Sequence, residues 1–88
     1  SPTVLSAQVA NDLMNIAGLK ASFGLSEFNG KIYISARSID EYNVQVVMEK
    51  LGGGGHQTMA GAQIEGMSLT EAKEALINAI DQHRKEIS

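Results

Sequence analysis

The chain has 88 residues, a formal net charge of −3 and no cysteine. This length provides one small domain with a modest core. The absence of cysteine excludes a disulfide scaffold and a thiolate metal site. The acidic balance argues against a sequence-independent grip on long nucleic acids, because such binding depends on many lysine and arginine contacts to phosphates. A small phosphorylated ligand held by a few groups remains compatible with this composition.

No apolar run approaches the roughly 18 residues that suggest a membrane-spanning helix, and no signal peptide is recognisable. The chain begins with Ser1 rather than Met, and a helical pattern starts almost at once. We therefore expect residues 1–88 to be a single domain that belongs to a larger protein.

The first predicted elements are a helix and a β-hairpin. Apolar residues recur at helical spacing from about Pro2 to Ala17. The stretch from Ala21 to Phe28 alternates between apolar and small polar residues, as a strand does. Asn29-Gly30 follows and favours a type I′ turn, in which both central residues need positive φ. Lys31 to about Arg37 alternates again and completes the hairpin.

The second half of the chain is predicted as helix, loop, strand and helix. An apolar stripe runs from about Val44 to Leu51, and Gly52 ends it. A short strand is predicted from about Ala60 to Ile64. A capping box that starts at Ser68 opens a last helix from about Leu69 to Glu86.

The resulting order is α-β-β-α-loop-β-α. It predicts an α+β domain in which a small mixed sheet, containing an antiparallel hairpin, packs against helices.

The loop after the second helix contains four consecutive glycines, Gly52, Gly53, Gly54 and Gly55, followed by His56. Each glycine costs about 0.5–1 kcal/mol relative to alanine within regular structure, so a run of four indicates a need for bare backbone. The run lacks the Lys and Ser or Thr of a P-loop. It follows a helix, whereas a dinucleotide-binding glycine motif follows a strand. A glycine-rich anion site and a flexible surface turn both remain open.

Three polar residues are candidates for function. His56 could donate to a phosphate, act as a general acid or base, or bind a metal. The metal role is the weakest, because the other histidine, His83, falls in a helical pattern typical of a solvated or half-buried residue. Arg37 ends a strand and could bind phosphate with two hydrogen bonds, or could be an ordinary surface arginine. Ser38, the next residue, is a weaker candidate for a functional role.

Three segments together resemble a known family. Ser35-Ala36-Arg37-Ser38, then Gly52 to His56 after a helix, then Ala60-Gly61-Ala62, are similar to the DHH-associated C-terminal domain of the DHH-family phosphoesterases. That superfamily includes RecJ-type exonucleases, nanoRNases, inorganic pyrophosphatases and cyclic-di-AMP phosphodiesterases. The resemblance covers nearly the whole chain.

The resemblance implies a substrate-binding domain. The residues that it assigns to substrate phosphate and nucleotide are Arg37, Ser38, Gly52, Gly53, Gly54, Gly55 and His56. His56 is in addition a candidate transition-state stabiliser. The resemblance places the Mn²⁺ ligands in a preceding DHH domain of the same chain, so that this domain binds no cofactor and is expected to be inactive alone.

Two further segments, from Thr3 to Gln8 and from Val47 to Gly52, resemble most the GdpP-type cyclic-di-AMP phosphodiesterases. This implies a cytoplasmic domain of a membrane-anchored signalling protein that hydrolyses cyclic-di-AMP to the linear dinucleotide, with a homodimer of the parent as a further expectation. One alternative is the C-terminal domain of a nanoRNase or RecJ-like exonuclease that acts on short oligonucleotides. The other is an RNA-contacting module like that of alanyl-tRNA synthetases, which predicts a basic face and is disfavoured by the net charge.

Overall fold

The computed structural model describes residues 15–16, 20–39 and 41–88. Its elements in chain order are β1 (Asn15–Ile16), β2 (Ala21–Phe28), β3 (Lys31–Ser38), α1 (Val44–Glu49), β4 (Gly54–Gly55), β5 (Met59–Glu65) and α2 (Leu69–Ile87). The strands form one five-stranded sheet in the order β1-β2-β3-β5-β4, and each described pair of neighbours is antiparallel. The predicted α+β class is confirmed, and the sheet is antiparallel where a mixed sheet was predicted.

The hairpin between β2 and β3 turns at Asn29-Gly30 as predicted. Asn29 has φ of 53° and Gly30 has φ of 76°. Positive φ at both positions is the signature of a type I′ turn, whose twist matches that of the flanking strands. The turn fixes the register, with Phe28 opposite Lys31 and Ser35 opposite Gly24.

The hydrophobic core lies between the sheet and the two helices. Alternate residues of β2, β3 and β5 point toward this core, as the period of two requires. Fully burying one large apolar side chain contributes roughly 1.5–3 kcal/mol relative to leaving it exposed. The largest fully buried side chains are Phe23, Ile32, Met48, Leu76, Val44 and Val47.

Both described helices begin at a capped residue. The side chain of Asn43 accepts a hydrogen bond from the amide of Val46 at the start of α1. At the start of α2, the Ser68 hydroxyl accepts from the Glu71 amide at 3.1 Å, and the Glu71 carboxylate accepts from the Ser68 amide at 2.9 Å. The capping box read from the sequence is therefore confirmed.

Two predicted boundaries are corrected. Asn15–Ile16 forms a strand that pairs with Ser22 and Ala21, so the predicted first helix is wrong at its C-terminal end; its residues 2–14 and 17 lie outside the described residues. The helix α1 ends at Glu49 rather than Leu51, and part of the predicted glycine loop is the strand β4. The other predicted boundaries agree within one residue. Helical spacing cannot reveal β1, because a two-residue edge strand is defined by its partner.

The capping box predicts a specific dependence of stability on pH. The hydrogen bond from the Ser68 amide, helped by that with the Ser68 side chain, lowers the pKa of Glu71 below its usual value. A carboxylate with a lowered folded pKa stabilises the protein fully above its unfolded pKa, and this stabilisation is lost as the pH falls through the folded pKa. Glu71→Gln keeps an acceptor but does not titrate. Urea unfolding at pH 7 and pH 3 should therefore show a smaller acid-induced loss for Glu71→Gln than for the wild type; equal losses would exclude this role.

Candidate functional site

The first half of the glycine run ends helix α1. The Gly53 amide donates to the Met48 carbonyl oxygen at 2.8 Å, and the Gly52 amide donates to the Glu49 carbonyl oxygen at 3.1 Å. Gly52 has φ of 82°. This pattern is the Schellman motif, in which a residue with positive φ lets the chain close the last helical turn. Two amides of the run are therefore engaged within the domain.

The second half of the run packs directly against β5. In β4, Gly54 pairs with Gly61 and Gly55 pairs with Ala60. A Cβ atom added at Gly53 would overlap the carbonyl oxygen of Gly61, and one added at Gly55 would lie 2.6 Å from the Cα of Ala60. Real Cβ atoms do not approach backbone atoms this closely. These two glycines are required because two backbone segments pass each other without room for a side chain.

Gly54 has no such packing requirement. It does not have positive φ, and a Cβ atom added there would meet no atom within 4 Å outside its chain neighbours. Neither backbone strain nor crowding within the domain explains a glycine at this position. Glycine at this position leaves bare backbone beside open space, where another molecule can approach closely.

The turn that follows the run is held by backbone and side-chain hydrogen bonds. The His56 amide donates to the Met59 carbonyl oxygen at 2.7 Å. The Gln57 carbonyl oxygen accepts from the Ser38 hydroxyl at 3.2 Å and from the Val44 amide at 2.9 Å. The Ser38 amide also donates to the Thr58 carbonyl oxygen at 3.0 Å. Ser38 thus ties the end of β3 to the turn that carries the exposed His56.

A trough crosses strands β3, β5 and β4 on the sheet face opposite the core. The in-register row Ser35, Gly61 and Gly54 forms its floor. We call this feature the glycine trough, and its volume is about 550 Å³. Small-molecule sites are clefts of about 300–1,000 Å³. The trough is therefore large enough for a small ligand.

Two rows of larger side chains flank this floor. Arg37 and Met59 are paired across β3 and β5 on one side, and Tyr33 and Gln63 are paired on the other. Arg37 is the one charged side chain among the described residues that line the trough. A single guanidinium beside small neutral groups, with no lining carboxylate among those residues, favours an anionic ligand.

The structure brings together some of the predicted site residues. Arg37 and the run Gly52, Gly53, Gly54 and Gly55 line the trough. Ser38 and His56 are not among its lining residues. His56 lies on the turn that follows Gly55, and Ser38 ends β3 and hydrogen-bonds to that turn. Tyr33, Ser35, Gly61 and Gln63 line the trough and were not predicted as site residues. The strand alternation that places Tyr33 and Ser35 on the face of Arg37 was the available signal.

The other histidine lies apart from the trough. His83 is 4% exposed, where a solvated or half-buried residue was predicted, and its ring meets that of Tyr42 edge to face at 5.4 Å. Burial by neighbouring groups raises the pKa of Tyr42. His83 lies on α2 and Tyr42 lies in the segment before α1, so their ring contact joins these two parts of the chain. This histidine therefore supports the core.

The described part of the chain offers no ligand set for a metal. It contains no group of three or more His, Cys, Asp or Glu side chains that could hold an ion. The described residues therefore provide no manganese site of their own. The family resemblance places the manganese ligands in a preceding DHH domain. Within the same described residues, no helix is long and apolar enough to cross a membrane.

Comparison with known families finds a match over nearly the whole chain. The DHHA1 domain family matches residues 3–86. The chain therefore belongs to the DHHA1 domain family, which confirms the resemblance read from its sequence.

Similar proteins include two cyclic-di-AMP phosphodiesterases. PdeA of Listeria monocytogenes is 45% identical over 84 residues, which are 94% of this chain and 13% of PdeA. GdpP of Bacillus subtilis is 46% identical over 81 residues, which are 91% of this chain and 12% of GdpP. The chain thus spans about an eighth of these relatives.

A solved structure shares the fold. It is the crystal structure of an exopolyphosphatase-related protein from Bacteroides fragilis, with a TM-score of 0.74 and 23% identity. The match covers 86% of this chain and 22% of the other chain. At this identity the likeness establishes the fold alone.

Neighbouring glycines of the run should respond differently to a methyl group. Gly53→Ala forces the new Cβ into the backbone of Gly61, and overpacking of this kind typically costs about 1–3 kcal/mol or more. Gly54→Ala adds the same methyl group in open space. Thermal unfolding should show a clear loss of stability for Gly53→Ala and little change for Gly54→Ala. Equal effects of the two substitutions would show that β4 does not pack on β5 as described.

Proposed function

We propose that this domain binds the substrate of a DHH-family phosphodiesterase that hydrolyses cyclic-di-AMP to the linear dinucleotide. The observation that carries the proposal is the placement of Arg37 and the bare glycine run on one trough. The names of the relatives PdeA and GdpP support the choice of cyclic-di-AMP as the substrate.

Arg37 is proposed to bind a substrate phosphate. A guanidinium presents several N–H donors in a planar fork that matches phosphate oxygens, and it stays charged at any physiological pH. Arg37 is half-buried at the wall of the trough, so a ligand that fills the trough would further exclude water from the ion pair. Lower water content strengthens such a charge-assisted hydrogen bond.

The glycine run is proposed to let the substrate approach the sheet closely. Because the amides of Gly52, Gly53 and His56 donate to carbonyl groups within the domain, we assign the run a role in shape more than in donating hydrogen bonds. Gly54 in particular provides bare backbone in the floor of the trough. A phosphodiester can lie there without meeting a side chain.

His56 and Ser38 are proposed to act at the end of the trough. His56 is exposed on a turn with fixed hydrogen bonds, where its ring can donate to a phosphate oxygen and stabilise charge that develops on it. Ser38 is assigned to the site chiefly because its hydroxyl and amide hold this turn. The turn is thus organised before substrate arrives.

The remaining part of the active site is assigned to a DHH domain that precedes this one in the complete protein. Manganese belongs to that domain in this proposal, following the resemblance to the DHH-family phosphoesterases. Following the resemblance to the GdpP type, we also propose a membrane-anchored, dimeric parent with this domain in the cytoplasm.

Substitution of Arg37 or His56 in the complete protein tests this proposal. Hydrogen bonds to charged groups contribute about 1.5–3 kcal/mol, so Arg37→Ala should lower kcat/KM for cyclic-di-AMP by about 10- to 100-fold. His56→Ala should lower turnover as well. The matched control is Arg84→Ala, which removes an exposed arginine paired with Asp81 on α2.

Hydrolysis is measured with cyclic-di-AMP, the linear dinucleotide and short oligonucleotides. Unchanged kinetics for both Arg37→Ala and His56→Ala would reject the site. A strong preference for linear dinucleotides or oligonucleotides over cyclic-di-AMP would keep the site but assign the domain to a nanoRNase or RecJ-like enzyme.

A further inference from the structure

The side of the trough opposite Arg37 carries an aromatic ring and an amide. Tyr33 on β3 and Gln63 on β5 are directly paired across the two strands and line the trough. Tyr33 is half-buried and Gln63 is exposed. Neither side chain is required by the core, which lies on the other face of the sheet. Both side chains are therefore available to a ligand that lies in the trough.

The strand β3 sets the distance between the two rows of side chains that flank the floor of the trough. Tyr33 and Arg37 are four residues apart on the same face of β3, so their Cα atoms are about 13 Å apart. Between them lies the floor of small residues centred on Ser35. A ligand with an anionic group at one end and a flat ring at the other fits this arrangement.

We propose that Tyr33 and Gln63 form a nucleobase subsite, with the base stacked on the Tyr33 ring and its polar edge facing the Gln63 amide. This inference rests on the proposed function, because it orients a nucleotide whose phosphate lies at Arg37. Aromatic side chains bind bases by stacking whatever the base sequence. A glutamine amide can accept from the N6 amino group of adenine and donate to N7, so it favours adenine.

The subsite is tested by binding to the complete protein, which does not depend on hydrolysis. The two probes are AMP and ribose 5-phosphate, which differ only in the base, and dissociation constants are measured by equilibrium titration. Tyr33→Leu should weaken AMP binding by at least about fivefold, as expected when a base loses its stacking partner. The same substitution should leave ribose 5-phosphate binding within twofold of the wild type, and Tyr33→Phe should leave both unchanged.

The matched control for Tyr33→Leu is the substitution of Phe28. Phe28→Leu replaces another exposed aromatic residue, at the hairpin end of β2 and away from the trough, and should leave both probes unaffected. Equal AMP binding by the wild type and Tyr33→Leu would overturn the base subsite. Unchanged binding of ribose 5-phosphate by Arg37→Ala would instead count against the proposed phosphate site, so the two failures are distinguishable.

The role of Gln63 has its own test. Purine riboside 5′-monophosphate lacks the N6 amino group of AMP, so the wild type should bind AMP more tightly than this analogue. Gln63→Ala should reduce that preference to within twofold, because the amide that accepts from N6 is gone. A preference that survives in Gln63→Ala would overturn the contact between Gln63 and the base.

Discussion

The close passage of the glycine run over strand β5 is the constraint on which the site depends. Gly53 and Gly55 lie so near the backbone of β5 that neither position has room for a side chain. This contact adds β4 to the sheet edge and brings the bare backbone of Gly54 into the floor of the trough. It also places His56 on a turn that Ser38 holds from the end of β3.

The glycines of the run therefore do different things, although they look alike in the sequence. Gly52 closes a helix, Gly53 and Gly55 allow two backbones to pass, and Gly54 leaves space for a ligand. One interpretation of the run from the sequence is a glycine-rich anion site, in which the amides of the run are the hydrogen-bond donors. Hydrogen bonds within the domain engage the amides of Gly52 and Gly53, so shape becomes the main contribution of the run to binding.

Much of the fold could be predicted because its signals are local. Asn29-Gly30 specifies the turn between two alternating strands, and the capping box at Ser68 specifies the start of α2. The strand β1 and the pairing of β4 with β5 could not be predicted, because each of these pairings involves only two residues of the short strand, too few to show the alternation of a strand. His83 was predicted wrongly for a different reason: its helical position indicates a face, but only the packed Tyr42 shows that this face is buried.

The site was predictable in part. Arg37 and the glycine run stand out by residue type and meet on one trough, whereas Tyr33 and Gln63 look ordinary in their strands. Only the register of β3 with β5 brings that pair together opposite Arg37. Alternation in β3 places Tyr33 and Ser35 on the face of Arg37, so this face can be recognised in the sequence, whereas the pairing of β3 with β5 cannot.

The central claim is that the glycine trough holds the substrate phosphate beside Arg37. The most direct measurement is a crystal structure of the complete protein with a non-hydrolysable phosphorothioate analogue of cyclic-di-AMP. A phosphorothioate oxygen should lie within hydrogen-bonding distance of the Arg37 guanidinium, with the ligand lying over Gly54. An analogue bound elsewhere in the protein, with the trough unoccupied, would contradict it.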